Sequence, residues 1–342
     1  MAGEARVTDR ATGAPPRNAF GKSGRTRGDA PTGRATARPV RRAGEGLRKK
    51  AELALFLGPA LLLFVGFVLV PIAVATYYSF YNWSGFGGLH NFSGLTNYRE
   101  ALKGSVFHQA VQHNLIIAAL SITVQLPISI GMALLLNRKL RGRAFLRLVV
   151  FAPFTLSEAV TAVTWALMLQ PHGFVDRVFR AVGLGGLVHH WLADTHLVLY
   201  TIFVVLTWKF IGFGIILLLA GLQGIPNELR EAAALDGANP WQTTWRVVLP
   251  LLAPTIRIWI FLSVIGSLQV FDVVWIMTGG GPANSSTTMS VYVIDHGFRR
   301  YEFGYGSAVA VILFIICFVF ALFYQRFALR RDTFGALTDR TR

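Results

Sequence analysis

The chain has 342 residues, 53% of them hydrophobic and only 15% charged, and its net charge is +16. A mean hydropathy of +0.49 excludes an ordinary soluble domain of this length. The charge does not argue for nucleic-acid binding: residues 1–50 hold 13 Lys+Arg against 4 Asp+Glu, and most other basic residues flank apolar runs, where membrane topology accounts for them.

Residues 1–50 are rich in Arg, Gly, Ala and Pro and poor in aromatic and β-branched residues, so they are expected to form a disordered basic tail. A transit peptide is the rival reading, but Gly and Pro throughout leave no amphipathic pattern. Leu53 to Phe80 and Gly104 to Asn137 contain no Asp, Glu, Lys or Arg, and about 20 apolar residues suffice to cross a bilayer. Six spans are predicted: Leu53–Ala75, Leu115–Leu136, Phe145–Leu169, Val198–Ala220, Ile256–Met277 and Ala308–Tyr324. The expected fold is an all-α polytopic membrane protein, with a transmembrane domain over 51–330 and a C-terminal tail over 331–342. The single cysteine, Cys317, sits in an apolar run and reads as a packing residue.

Loop charges set the orientation. With the tail inside, segments 138–147, 221–257 and 326–342 carry 5, 3 and 5 basic residues, against 6 in the outside loops. Both termini are therefore expected in the cytosol. The outside loop from Tyr81 to Phe107 is aromatic. The one from Thr278 begins Thr278-Gly279-Gly280-Gly281-Pro282, a flexible turn that ends a helix.

The chain carries no metal-ligand cluster, nucleophile elbow or nucleotide-binding loop. Transport against a gradient would draw its energy from a partner or from ion coupling. Three ionisable residues fall inside spans: Glu158, Lys209 and Asp272. A charge at the bilayer centre costs about 2.5–3.5 kcal/mol on insertion scales, so each needs a protein or water environment. Glu158 and Asp272 are candidate cavity groups or buried partners of a neighbouring helix. Lys209 can pair with Asp272 or snorkel outward. With Gln125, Ser267 and Gln269 as neutral hydrogen-bonding groups and Trp165, Trp208, Phe271 and Trp275 as faces, the set suits a sugar, whose C–H faces are apolar and whose rim is hydroxylated. It equally describes a helix packing seam.

Between spans 4 and 5 lies Pro226 to Pro254. Its pattern predicts two short helices, Asn227–Asp236 closed by Gly237, and a second from the Asn239-Pro240 cap to Val248. Apolar Leu229, Ala232, Ala233 and Leu235 beside Glu228, Arg230 and Glu231 suit a helix docking into a groove. Glu231-Ala232-Ala233, Asp236-Gly237-Ala238 and Leu249-Pro250 together resemble the EAA motif of ABC importer permeases. Phe92-Ser93-Gly94-Leu95-Thr96-Asn97-Tyr98, Asn137-Arg138-Lys139-Leu140-Arg141-Gly142, Thr278-Gly279-Gly280-Gly281-Pro282 and Phe303-Gly304-Tyr305-Gly306-Ser307-Ala308 are similar to the carbohydrate permeases related to the maltose and glycerol-3-phosphate systems. The resemblance covers residues 50–330. Thr244 and Val247 depart from the pattern, and Glu158 is unusual for span 3.

The resemblance implies a type I importer permease in a bacterial or archaeal cytoplasmic membrane. It implies a heterodimer with a second permease, two cytosolic ATPase subunits holding ATP-Mg, and an extracytoplasmic binding protein that delivers a sugar-like solute. The permease itself would carry no catalytic residue, metal or cofactor. Coupling to the ATPase is expected at 226–250, through Glu231, Ala232, Ala233, Asp236, Gly237, Leu249 and Pro250. Glu158, Gln269, Asp272, Lys209 and Trp208 are the candidate pathway residues. The alternative is an ion-coupled secondary transporter using Glu158, Lys209 and Asp272 as a relay.

Overall fold

The computed structural model describes residues 43–138 and 141–329. The expectations for 1–42, for Lys139-Leu140 and for the C-terminal tail lie outside the described residues. The described residues fall into two compact units, one ending at Ala60 and the other beginning at Leu61. Helix α1, Ala43–Phe64, begins inside the stretch expected to lack structure. From Ala43 to Gly58 no proline intervenes, and Ala, Leu, Arg, Lys and Glu are good helix formers.

The remaining helices are α2 Val70–Tyr78, α3 Thr96–Lys103, α4 Ser105–Leu120, α5 Leu126–Asn137, α6 Arg143–Thr155, α7 Glu158–Met168, α8 Phe174–Ala181, α9 Val198–Gln223, α10 Asn227–Leu235, α11 Pro240–Thr243, α12 Leu249–Gln269, α13 Asp272–Thr278, α14 Met289–Ile294 and α15 Phe303–Tyr324. Among the described residues, five stretches are long and apolar enough to cross a membrane, and the pair α6 and α7, bent by 98°, makes a sixth. The all-α polytopic fold is thus as expected, with one correction. Span 3 is not a single rod from Phe145 to Leu169 but two helices broken at Leu156 and Ser157, which both take extended backbone angles. Ser157 caps the second piece by accepting a hydrogen bond from the Val160 N–H at 3.2 Å, and Glu158 opens its first turn.

Proline explains another local feature. The π turns Val65–Leu69, Ser121–Gln125 and Thr244–Val248 each stand directly before a helix with proline at its second residue: Pro71, Pro127 and Pro250. Proline lacks the N–H that would bond the carbonyl four residues back and its ring crowds that carbonyl. The ladder slips to the wider spacing instead of stopping.

Helix α9 is the most buried of the apolar spans. One core joins its N-terminal half to α4, α7 and α13, and a second joins its C-terminal half to α5 and α12. Gly212 lets α6 approach it closely, because a Cβ there would lie 2.6 Å from the Val150 oxygen. A third core packs α3, α4, α14 and α15. Buried Asn97, from the motif in the first outside loop, ties that loop to the end of α2 by donating to the Ser79 and Tyr81 oxygens at 2.9 and 3.0 Å.

The segment between α7 and α9 is organised by buried Asp176, which accepts from the His172 backbone N–H at 2.9 Å and the Trp191 indole at 3.0 Å. These bonds, the His172 N–H foremost, hold the carboxyl below its ordinary range. A group lowered on folding contributes stability above its unfolded value, lost as pH falls through the folded one. Hydrogen exchange over 172–191 is therefore expected to stay slow down through the ordinary aspartate range near pH ~4 and to accelerate only below it, whereas Asp176→Asn accelerates it already at neutral pH. An onset at ordinary aspartate pH would contradict this.

Candidate intramembrane cavity and coupling loop

The break in span 3 frees carbonyls in the middle of a membrane protein, where water is scarce and an unpaired group costs several kcal/mol. Lys209, on α9 and only 2% exposed, meets them. Its ammonium donates to the oxygens of Pro153 at 3.1 Å, Phe154 at 2.9 Å and Leu156. The rings of Phe154 and Phe210 stand 5.7 and 5.8 Å from it. Three donors thus meet three acceptors.

Span 5 breaks in the same way. Between α12 and α13, Val270 and Phe271 leave the helix. Fully buried Asn114 donates to the Ser267 and Leu268 oxygens at 2.6 and 3.2 Å and accepts from the Met289 N–H at 2.9 Å. Thr288 donates to the Val270 oxygen at 2.9 Å. The loop that supplies Thr288 reads as a flexible glycine turn in sequence, yet it is tied down. Buried Ser286 donates to Gly281 O at 2.7 Å and Thr287 to Gly280 O at 3.0 Å. Glycine frequency marks the turn and conceals the hydroxyls that fasten it.

Beside these breaks lies a cavity of about 450 Å³. Glu158, at the start of α7, and Asp272, at the start of α13, both line it. Ser121, Gln125, Ser263, Ser267 and Gln269 add neutral polar groups, and Phe154, Phe210, Phe213, Trp259 and Phe271 add rings. The structure therefore brings together Glu158, Gln269 and Asp272. Lys209 and Trp208 are not in the lining: Lys209 is engaged behind it, and Trp208 packs edge-on against Trp165 at 5.5 Å. This deprives the ion-relay alternative of its basic member. Ser263, Phe154 and Trp259 were not singled out in the sequence. A lone serine in an apolar span is a weak signal, but the Ser263 hydroxyl is shielded and has no protein partner.

The 226–254 stretch is a hook continuous with span 5. Helix α10 ends on Gly237, whose φ of +81° suits a residue without a Cβ. The Ala238 N–H bonds Ala233 O at 2.9 Å and the Gly237 N–H bonds Ala234 O at 3.1 Å, closing the helix by a Schellman motif. Asn239 and Gln242 form a reciprocal capping box at the start of α11. The second short helix does not end at Val248 as expected but runs through the π turn into α12. Leu235 is 90% exposed and Trp241 70%, and the Trp241 ring lies 5.5 Å from that of Trp245 at a tilt of 56°. Glu231, Ala232, Asp236, Gly237 and Pro250 are also exposed, while Ala233 is buried and Leu249 half-buried.

The binding-protein-dependent transport system inner membrane component family matches residues 125–333. The chain belongs to this family of ABC importer permeases. A probable ABC transporter permease protein of Pyrococcus horikoshii is 35% identical over 274 residues, 80% of this chain and 94% of that one. The multiple sugar-binding transport system permease protein MsmF of Streptococcus mutans is 34% identical over 261 residues, 76% and 89% of the two chains. A solved bacterial ABC transporter involved in the import of the acidic polysaccharide alginate shares the fold, with a TM-score of 0.73 and 22% identity over 84% of this chain and 99% of that one. The permease is accordingly a multi-pass inner-membrane transport component.

Removing the Lys209 ammonium takes a donor from the Phe154 and Leu156 carbonyls, at about 1–3 kcal/mol per unsatisfied group, while the Pro153 oxygen keeps the Leu156 N–H at 3.3 Å. Lys209→Met is expected to lower the thermal unfolding midpoint of the purified permease in detergent by several degrees, while Lys103→Met, at an exposed lysine, leaves it unchanged. Equal midpoints would refute the capping role.

Proposed function

We propose that this permease forms half of the translocation pathway of an ATP-driven, binding-protein-dependent saccharide importer. In this reading a second permease completes the pathway, two cytosolic ATPase subunits bind ATP-Mg, and an extracytoplasmic binding protein delivers the solute. Both termini face the cytosol, and the permease contributes no catalytic group or cofactor.

The observation that carries the reading is the 226–254 hook. It exposes Leu235 at the end of α10, and Trp241 and Trp245 on an element that is helical without interruption from Pro240 into span 5. Such large apolar side chains suit a groove on a partner as anchors. Glu231, Ala232, Ala233, Asp236 and Gly237 form the docking turn, and Leu249 and Pro250 carry its displacement into α12. Closing of the ATPase dimer then moves the spans as rigid bodies and exposes the pathway alternately to each side. Glu158, Gln269 and Asp272 face the solute, with Lys209 and Trp208 behind them. Support for a saccharide comes from the relative MsmF, a multiple sugar-binding transport system permease protein, and from a wall that combines rings with hydrogen-bonding groups.

Two substitutions test the docking. Leu235→Asp is expected to reduce ATPase co-purification at least tenfold while the permease still reaches the membrane. Gly237→Val forces a β-branched residue into the left-handed region, at about 1–2 kcal/mol. It is expected to abolish ATP-dependent uptake of maltose, lactose or N,N′-diacetylchitobiose into proteoliposomes of the complete transporter. Undiminished uptake by both variants would overturn the coupling assignment.

A further inference from the structure

The cavity is unbalanced in charge. Among the described residues that line it, Glu158 and Asp272 are the ionisable ones, and no Arg, Lys or His joins them. Lys209 interacts electrostatically with Glu158 through the wall. Its hydrogen-bonding capacity, however, is filled by the oxygens of Pro153, Phe154 and Leu156, and it is 2% exposed. An ammonium has three N–H donors, so none is left for a bound solute.

We propose that this half of the pathway selects neutral or amine-bearing saccharides and rejects acidic ones. The inference rests on the saccharide-importer reading above and narrows it. A carboxylate, phosphate or sulfonate is recognised by charge-assisted donors, chiefly Arg and Lys. Here it meets two carboxyl groups lining one cavity, with no cation among the lining residues to offset their repulsion. A neutral sugar faces the opposite situation. Its hydroxyls donate to Glu158 and Asp272, its amide-matching rim meets Gln269, and its C–H face lies against Phe271 or Trp259. An amino sugar gains an ion pair in the same place. The shared fold does not fix this choice, since the transporter of like fold takes an acidic polysaccharide; the side chains of the wall do.

The test is equilibrium binding of radiolabelled probes to the complete detergent-purified transporter without its binding protein, so that the permease makes the choice. The neutral probes are maltose, lactose and N,N′-diacetylchitobiose, the amine probe is the glucosamine disaccharide, and the acidic probes are digalacturonate and sn-glycerol 3-phosphate. At least one neutral or amine probe is expected to bind, and each acidic probe at least tenfold more weakly than the tightest of them. Glu158→Gln combined with Asp272→Asn is expected to raise the ratio of acidic to neutral affinity at least tenfold. Asp272→Asn alone, at a position exposed to the cavity, raises it at least threefold and serves if the double variant fails to assemble. An acidic probe that binds the wild type as tightly as the neutral ones overturns the inference and leaves the importer reading standing. So does a ratio unmoved in the variants. Binding of none of the probes overturns the saccharide reading, and this inference with it.

Discussion

Backbone amides inside a bilayer need partners, because no bulk water is there to supply them. An unbroken helix meets that requirement internally. This permease breaks two of its spans, and at each break neighbouring elements supply the missing partners. Lys209 answers for span 3; Asn114 and Thr288 answer for span 5. The breaks are what allow Glu158 and Asp272 to stand at the starts of two packed half-helices rather than on the flanks of continuous rods. The cavity is therefore a product of how the carbonyls are satisfied.

The same requirement separates two kinds of helix irregularity. At Pro71, Pro127 and Pro250 the ladder loses one bond and widens locally, and the helix continues. At Leu156 and Val270 the chain leaves the helix altogether, and other elements must compensate. The first kind keeps an element mechanically continuous. Pro250 is the instructive case: the hook and span 5 meet through a π turn rather than a loop, so a displacement at α11 is delivered to α12. The second kind opens space. Continuity lies at the hook and discontinuity within the spans.

Much of this was legible in the sequence. Apolar runs located the spans, and Gly237 and Asn239-Pro240 marked the hook, because caps and turns are local signals. Glu158, Gln269 and Asp272 were recognisable because ionisable or amide groups in apolar runs are conspicuous. What stayed hidden was tertiary. Span 3 read as one helix because Pro153 alone is tolerated in a membrane span, and the stop depends on a lysine 56 residues away in sequence. The glycine-rich turn read as flexible because its fasteners, Ser286 to Thr288, gain their meaning only when they reach Gly280, Gly281 and Val270. Ser263 and Asn114 were silent because neutral polar residues in spans are common and their surroundings decide their role.

Lys209 shows how far such surroundings reach. Read from composition, it is a cation beside two acids, and an ion relay follows naturally. Read from its bonds, it is a helix cap. An ammonium has three donors, and a broken helix in hydrocarbon leaves carbonyls that need them. The same N–H groups cannot bond those carbonyls and a solute at once. Stabilising the break with Lys209 therefore removes a basic ligand from the cavity, and the carboxyls that the break exposes dominate its polar chemistry. Fold stability and solute charge are linked at this point: whatever supplies the cap for span 3 also decides which charges the pathway accepts.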